Sequence, residues 1–574
     1  MNTARQHNSA RTPIRRNTPP RALMPPRALA VVAVVAVAIA ACSKAPEPAA
    51  PPTSTAPTSS APAHSAQPAA PPAQDPAPTE ASVAWRKGDV DTAFAAAKVE
   101  GKPLFLYWGA VWCPPCNQVK ATLFNRQDFI DRSRFFVPVY LDGDSKSAQR
   151  LGARFKVSGY PTMILFTPDG TEITRLPGEV DADQYMRVLA MGMNGARPVK
   201  ATLAAALAPA KSGAAAKLTP EDWRMLAYYS WETHEEQLVP TKDIPATLAK
   251  LAKACPADQD ATATRLYLKA INTAAAAKDA KPIDDKPARQ RLLKVLADPA
   301  ISREHFDVVT DEPSKVIGHV TLPGSTERTM LAAAWDAALM KLIGDARLSA
   351  ADRLSAVGAR VDIAKLDAPK GAALPEPLIA IVRDQVRRGD KETRDPYARE
   401  VVINQAADIL AEAGLFDESD ALLTAELARS HTPYYHMLGL AANARKRGDK
   451  ATAVSWTEKA YAAANGPATR LQWGAGYVNT LIDLTPDDTA TIERAAIQVI
   501  GELEPVPDTF YDRNRRSLEK MAKKLVAWNK GNAHADALRR IRTELHGVCT
   551  KLPAGDAARA ACEGVWNPSK AAHA

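Results

Sequence analysis

Between residues 84 and 192 the apolar positions of this chain come in two periods. Residues 89–100 set Val90, Phe94 and Ala97 at helical spacing, and Gly101 and Pro103 end the run. Leu104-Phe105-Leu106-Tyr107-Trp108 follows as an unbroken apolar run, the pattern of a strand buried on both faces. An amphipathic stretch over 117–123 comes next, then a strand over 136–142 and a helix carrying Ala148, Leu151 and Phe155. A strand over 163–166, a turn at Pro168-Asp169-Gly170, a return strand to Pro177-Gly178 and a helix over 183–191 complete the segment. Helices alternating with short strands predict an α/β domain over residues 83–197.

From residue 198 to 574 the pattern turns helical. Alanine-rich amphipathic segments follow one another, and aromatics such as Trp223, Tyr228 and Trp231 fall at helical spacing. Gly414 and Gly448 stand 34 residues apart in matching contexts, with Leu440 and Ala444 before the second and Ala453, Ala460 and Pro467 after it. These positions resemble a tetratricopeptide repeat, although only two units fit and Ser419 stands where the first unit would carry a small residue. Ordinary helical hairpins are the competing reading. Residues 299–327, with Val316-Ile317-Gly318-His319-Val320 flanked by prolines, are expected to form a loop or hairpin dividing the helical region. Tyr434-Tyr435, at helical spacing, are expected in the core rather than lining a groove. Such an array offers a concave surface for a protein partner, or a scaffold that packs against the α/β domain and positions it.

The 574 residues carry a formal charge of +9, but six arginines and no acid lie within residues 1–42, leaving +3 on the remainder. A nucleic-acid partner is therefore not implied. Residues 28–41 form an apolar run too short to span a bilayer, preceded by arginines and followed by small residues up to Cys42. Residues 1–42 thus read as a secretory signal. Ile39-Ala40-Ala41-Cys42 resembles a bacterial lipobox, which implies lipidation of Cys42. Ser43 in the following position resembles outer-membrane rather than inner-membrane sorting. Met24 is a second candidate start. Residues 43–82 are almost wholly Ala, Pro, Ser and Thr, a composition expected to form a disordered spacer. The expected location is the periplasm, tethered to a membrane by a lipid.

The chemistry sits where the first strand meets the next helix, at Trp112-Cys113-Pro114-Pro115-Cys116. A helix N-terminus favours a thiolate at Cys113, and Pro114 and Pro115 occupy first-turn positions where a missing N–H costs little. Cys116, one turn further in, is placed to attack a mixed disulfide formed at Cys113. A structural zinc site would need further ligands that this segment lacks. Covalent haem would need histidine where Asn117 stands. No metal and no cofactor are expected.

Motif, strand order and the Val157-Ser158-Gly159-Tyr160-Pro161-Thr162 segment together resemble the thioredoxin fold. In character they are nearest the reductant-delivering periplasmic domain of the DsbD type. The resemblance implies a cis Pro161 against the cysteines, a Tyr160 backbone that pairs with a substrate strand, and Trp112 covering the site, unless Trp112 is simply a core aromatic. It implies Cys113 as nucleophile and Cys116 as resolving thiol. Two departures stand out. Tyr107 occupies the place of the family's buried aspartate, and Pro138 is counted at the place of its partner lysine. The Pro-Pro dipeptide lacks the histidine of strongly oxidising relatives, which argues for a moderately reducing pair.

Cys549 and Cys562 flank a short turn and are expected to form a structural disulfide; Cys255 is expected as a buried free thiol. The whole reads as a multidomain chain, a thioredoxin fold followed by a mostly α-helical region. Its expected activity is thiol–disulfide oxidoreduction, with protein disulfides as substrates and a redox partner protein. The alternative is an assembly or binding lipoprotein that uses both domains mainly for recognition.

Overall fold

The computed structural model describes residues 82–566, apart from 88, 146, 158, 177–180, 210–211, 214 and 232–237. The signal segment, Cys42, nearly all of the 43–82 spacer, Ser158 and the Pro177-Gly178 turn lie outside the described residues. The N-terminal elements run β1 (Arg86–Lys87), α1 (Val90–Glu100), β2 (Leu104–Gly109), α2 (Pro114–Val119), α3 (Gln127–Ser133), β3 (Val137–Asp142), α4 (Ala148–Phe155), β4 (Thr162–Phe166), β5 (Glu172–Leu176) and α5 (Ala182–Met193). A turn of π-helix, Lys120–Phe124, prolongs α2.

The strands form one sheet in the order β1-β3-β2-β4-β5, with β1, β3 and β2 parallel and β4 and β5 antiparallel to their neighbours. Side chains alternate across a strand, so β2 feeds two cores. Leu104, Leu106 and Trp108 join Val90 and Ala97 of α1 and Phe155 of α4 on one face. Phe105 and Tyr107 join Val119, Phe129 and Leu189 on the other. This explains the unbroken apolar run: every residue of β2 is buried. The second core does not stop at the domain. It continues into Leu203, Trp223, Trp231 and Leu248 of the following helices, and the backbone of Ser230 donates 3.0 Å to the Arg175 carbonyl on edge strand β5.

The rest of the described chain is helical and holds two further large cores, one drawn from residues 268–410 and one from 434–565. The loop or hairpin expected at 299–327 is a series of short helices joined by turns at 311–312 and 321–325. Pro299–Glu304, Phe306–Thr310 and Pro313–Val320 are short helices, and Val316, Ile317 and Val320 are core. Pro313, one of the two prolines flanking residues 316–320, stands at the first helical position, as does Pro299, where a missing N–H is no loss. Proline opens Pro396–Glu412, Pro433–Arg447 and Pro467–Leu484 in the same way. Gly414 and Gly448 both take φ near +80° and end their helices. Ser419, the odd residue of the repeat comparison, is fully buried, and its hydroxyl donates 2.8 Å to the Ala407 carbonyl.

Candidate functional site: the cysteine pair and its covering helices

Strand β2 ends at Gly109, and a tight turn delivers Cys113 to the N-cap of α2. The Cys113 sulfur accepts the Cys116 N–H at 3.3 Å, and the Cys113 carbonyl accepts the Asn117 N–H at 3.0 Å. Pro114 and Pro115 form the first turn. The two cysteines are in disulfide contact, with Cα atoms 5.2 Å apart. A sulfur capping a helix lies where the unpaired N–H groups stabilise negative charge, the setting that turns a thiol into a nucleophile. Buried Asn117 steadies the loop from behind, its Nδ2 donating 3.0 Å to the Val111 carbonyl.

The peptide between Tyr160 and Pro161 is cis. Tyr160 and Trp112 meet edge to face with ring centroids 6.1 Å apart. Gly143 makes room for the tyrosine: a Cβ there would lie 2.5 Å from its hydroxyl oxygen. Tyr107 is buried under the site, its hydroxyl without a hydrogen-bond partner, and burial followed by nearby Asp142 pushes its pKa far up. The residue opposite Tyr107 on β3 is Tyr140, stacked 5.2 Å away, and not Pro138, which faces Phe105. An aromatic pair thus fills the space counted for an acid and a base.

The helical region lies directly over this face. Trp112 sits between Trp473, 4.8 Å away edge-on, and Tyr435, 6.1 Å away and stacked; the Arg513 guanidinium lies 4.5 Å from the Tyr160 ring and 5.6 Å from that of Trp112. Tyr434 is core as expected from its spacing, but Tyr435 is not: it is half-buried and belongs to the contact with the redox loop. Cys113 keeps 3% of its surface and Cys116 none.

Polar contacts fix the arrangement around the rim. Gln118 of α2 donates 2.7 Å to Asp352, whose other carboxylate oxygen completes the capping box of helix Ala350–Lys365. Arg303 pairs with Asp181 at 2.6 Å, and Arg150 with Asp508 at 2.9 Å. His431, beside the Val111 backbone, lies 3.2 Å from Glu400. Beside Pro114 and Pro115 a cleft of about 580 Å³ opens between α2 and the helices, with Asp352, Asp362, Asp408 and Glu412 on its wall. Burial raises the Asp408 carboxyl to about 6.

In the C-terminal helices, Cys549 and Cys562 are joined as a disulfide, Cα atoms 5.6 Å apart. Cys255 is a free, buried thiol that burial pushes up to about 11. Among the described residues no cluster of His, Cys, Asp or Glu forms a metal site, and no helix is long and apolar enough to cross a membrane. Trp473, Arg513 and His431 were not singled out in the sequence, since nothing local ties residues more than 300 positions away to the cysteines.

Residues 90–192 match the thioredoxin-like domain family. Over 102 residues the chain is 32% identical to the thiol:disulfide interchange protein DsbD 2 of Pseudomonas aeruginosa, a match covering 17% of each chain. Over 119 residues it is 30% identical to the thiol:disulfide interchange protein DsbD of Pseudomonas fluorescens, covering 20% of each. The chain therefore spans at most a fifth of the length of these curated relatives. A solved structure titled DsbH oxidoreductase aligns over 94% of its own length and 21% of this chain, at 16% identity and a TM-score of 0.18. Sheet order, cis-proline and Cys-x-x-Cys agree with the family match: residues 90–192 are a thioredoxin-like domain with its cysteine pair intact.

Proposed function

We propose that the protein is a membrane-tethered periplasmic thiol–disulfide oxidoreductase acting on protein disulfides, most simply as a reductase. The observation that carries this reading is the Cys113 sulfur at the N-cap of α2, with Cys116 one turn inside. In the reduced protein the Cys113 thiolate attacks a substrate disulfide; one substrate sulfur leaves as thiolate and a mixed disulfide forms. Cys116 then loses its proton and attacks the Cys113 sulfur, releasing the second substrate thiolate. The pair ends oxidised and the substrate reduced by two electrons, so a redox partner protein must return two electrons per cycle. The Pro-Pro dipeptide and the missing histidine support the reducing direction. The names of the relatives support thiol–disulfide interchange, and the lipobox-like residues before Cys42 support the tether. Cys116→Ser should accumulate a mixed disulfide through Cys113, visible as a higher-mass band that dithiothreitol removes; Cys113→Ser should form none. No such adduct with either variant would contradict the assignment.

A second reading has one specific observation in its favour. Cys113 is nearly inaccessible beneath the helical region, which suits a lipoprotein that uses both domains for recognition. A biological activity that survives Cys113→Ser would select it.

A further inference from the structure

The face that a substrate must use is already occupied by the chain's own helices. Trp112 directly precedes Cys113, the N-cap of α2, and meets the ring of Tyr160, the residue before cis-Pro161; Trp473, Tyr435 and Arg513 stand on Trp112 and Tyr160. Steric exclusion follows: with 3% of Cys113 exposed, no folded protein reaches it in this arrangement. The contact is also built to separate. Over Trp112 and Tyr160 it consists of one aromatic cluster and a guanidinium, ringed by polar contacts such as Gln118 to Asp352, Thr469 to Asp144 and Asn514 to Gln149, and it is distinct from the core that Leu203, Trp223 and Leu248 share with the domain. Two of these, at Thr469 and Asn514, are backbone N–H groups held by side chains of the thioredoxin-like domain, bonds that water can replace on opening.

We propose that Trp473, Tyr435 and Arg513 form a gate that determines which disulfides and dithiols reach Cys113: small ones enter through local opening, whereas proteins require the helices that carry these three residues to swing off the redox face. This rests on the oxidoreductase reading. The three residues determine specificity without taking part in the exchange.

The test uses the full mature chain with Cys113–Cys116 oxidised, and follows its reduction by two probes, dithiothreitol and reduced thioredoxin. In each case a probe thiolate attacks the disulfide, a mixed disulfide forms, and the second probe thiol displaces the cysteine, so the probe is oxidised as the pair is reduced. Arg513→Ala and Trp473→Ala weaken the gate from two sides. Each should speed reduction by thioredoxin about tenfold, while the dithiothreitol rate changes by less than about threefold. Asp144→Ala, which touches none of the rings, frees Thr469 and should shift the same ratio in the same direction. If Trp473→Ala does not fold, the other two variants decide. Thioredoxin rates within about twofold of the parent in the folded variants, or equal acceleration by both probes, would overturn the gate. A pair that neither probe reduces in any folded variant would instead overturn the oxidoreductase reading beneath it.

Discussion

Asp144, on the loop after β3, accepts the backbone N–H of Thr469 at 2.6 Å and also the Thr469 hydroxyl, so a residue of the thioredoxin-like domain caps a helix 325 positions later in the chain. Gly466, at φ +88°, opens that helix, and a Cβ there would meet the Asp144 side chain at 2.7 Å. The cap thus depends on a glycine at its partner end as much as on the carboxylate. It links the redox domain directly to a helix that covers it.

Burial, with neighbouring Asp142 adding to it, raises the Asp144 carboxyl to about 6 against the opposing bonds from Thr469. The folded state therefore binds this proton more tightly than the unfolded chain does. Its contribution to stability is full below about pH 4 and declines as pH rises through about 6, by about 1–3 kcal/mol. Asp144→Asn keeps an acceptor for Thr469 and removes the titration. Urea unfolding at pH 4 and pH 7.5 should show the variant gaining on the parent by that amount at the higher pH.

Glu400 shows the opposite sign. It accepts from Ser430 Oγ at 2.6 Å, His431 N at 3.1 Å and Thr432 Oγ1 at 3.0 Å, and lies 3.3 Å from His436 Nε2. Burial alone would raise its carboxyl, but His436, Ser430 and His431 outweigh it and hold it at about 2. Its stabilisation is present above about pH 4.5 and is lost as pH falls toward 2. Glu400→Ala strands the loop that carries His431 to the redox site and should cost about 3–5 kcal/mol at neutral pH by denaturant unfolding.

In the middle of the helical region, Arg265 holds Asp307 with two bonds of 3.0 and 2.8 Å, Lys269 adds a third at 3.0 Å, and the Arg265 guanidinium lies 3.9 Å from the Tyr228 ring. Although burial works against it, these two cations hold the Asp307 carboxyl well below the usual range. Arg265→Met leaves Asp307 underpaired inside the protein. A loss of about 3–5 kcal/mol is expected, measured as a drop in urea midpoint without a change in slope.

The disulfide between Cys549 and Cys562 closes a loop of 13 residues' separation. Chain entropy alone assigns such a loop about 3 kcal/mol. The Cys549→Ala, Cys562→Ala double variant should lose about that much by denaturant unfolding while keeping the exchange activity of Cys113 and Cys116, because the two disulfides lie in separate cores.

Much of the thioredoxin-like domain was legible because its signals are local: Leu104–Gly109 is apolar throughout, Gly101 ends α1 in a left-handed turn, and the cysteines follow the strand directly. The helical character of residues 299–320, expected as a loop or hairpin, was missed for an equally local reason. The prolines flanking residues 316–320 suggested a break, and only the structure shows Pro313 opening a helix. Tyr435 was placed in the core by spacing that fixes a face but not what packs against it. Trp473 and Arg513 carried no signal, because their role exists only once the helices fold back onto Trp112.

The central claim is that Cys113 and Cys116 exchange electrons as a reducing pair. Equilibrating the full mature chain in dithiothreitol and glutathione buffers, then alkylating and counting free thiols, measures it directly. Cys255, raised to about 11 and buried, should stay unmodified in the folded protein. A reducing pair should settle at a potential between that of glutaredoxins and that of thioredoxin, about −230 to −270 mV. A value near about −120 mV, as in strong oxidants, or a pair that never equilibrates, would contradict it.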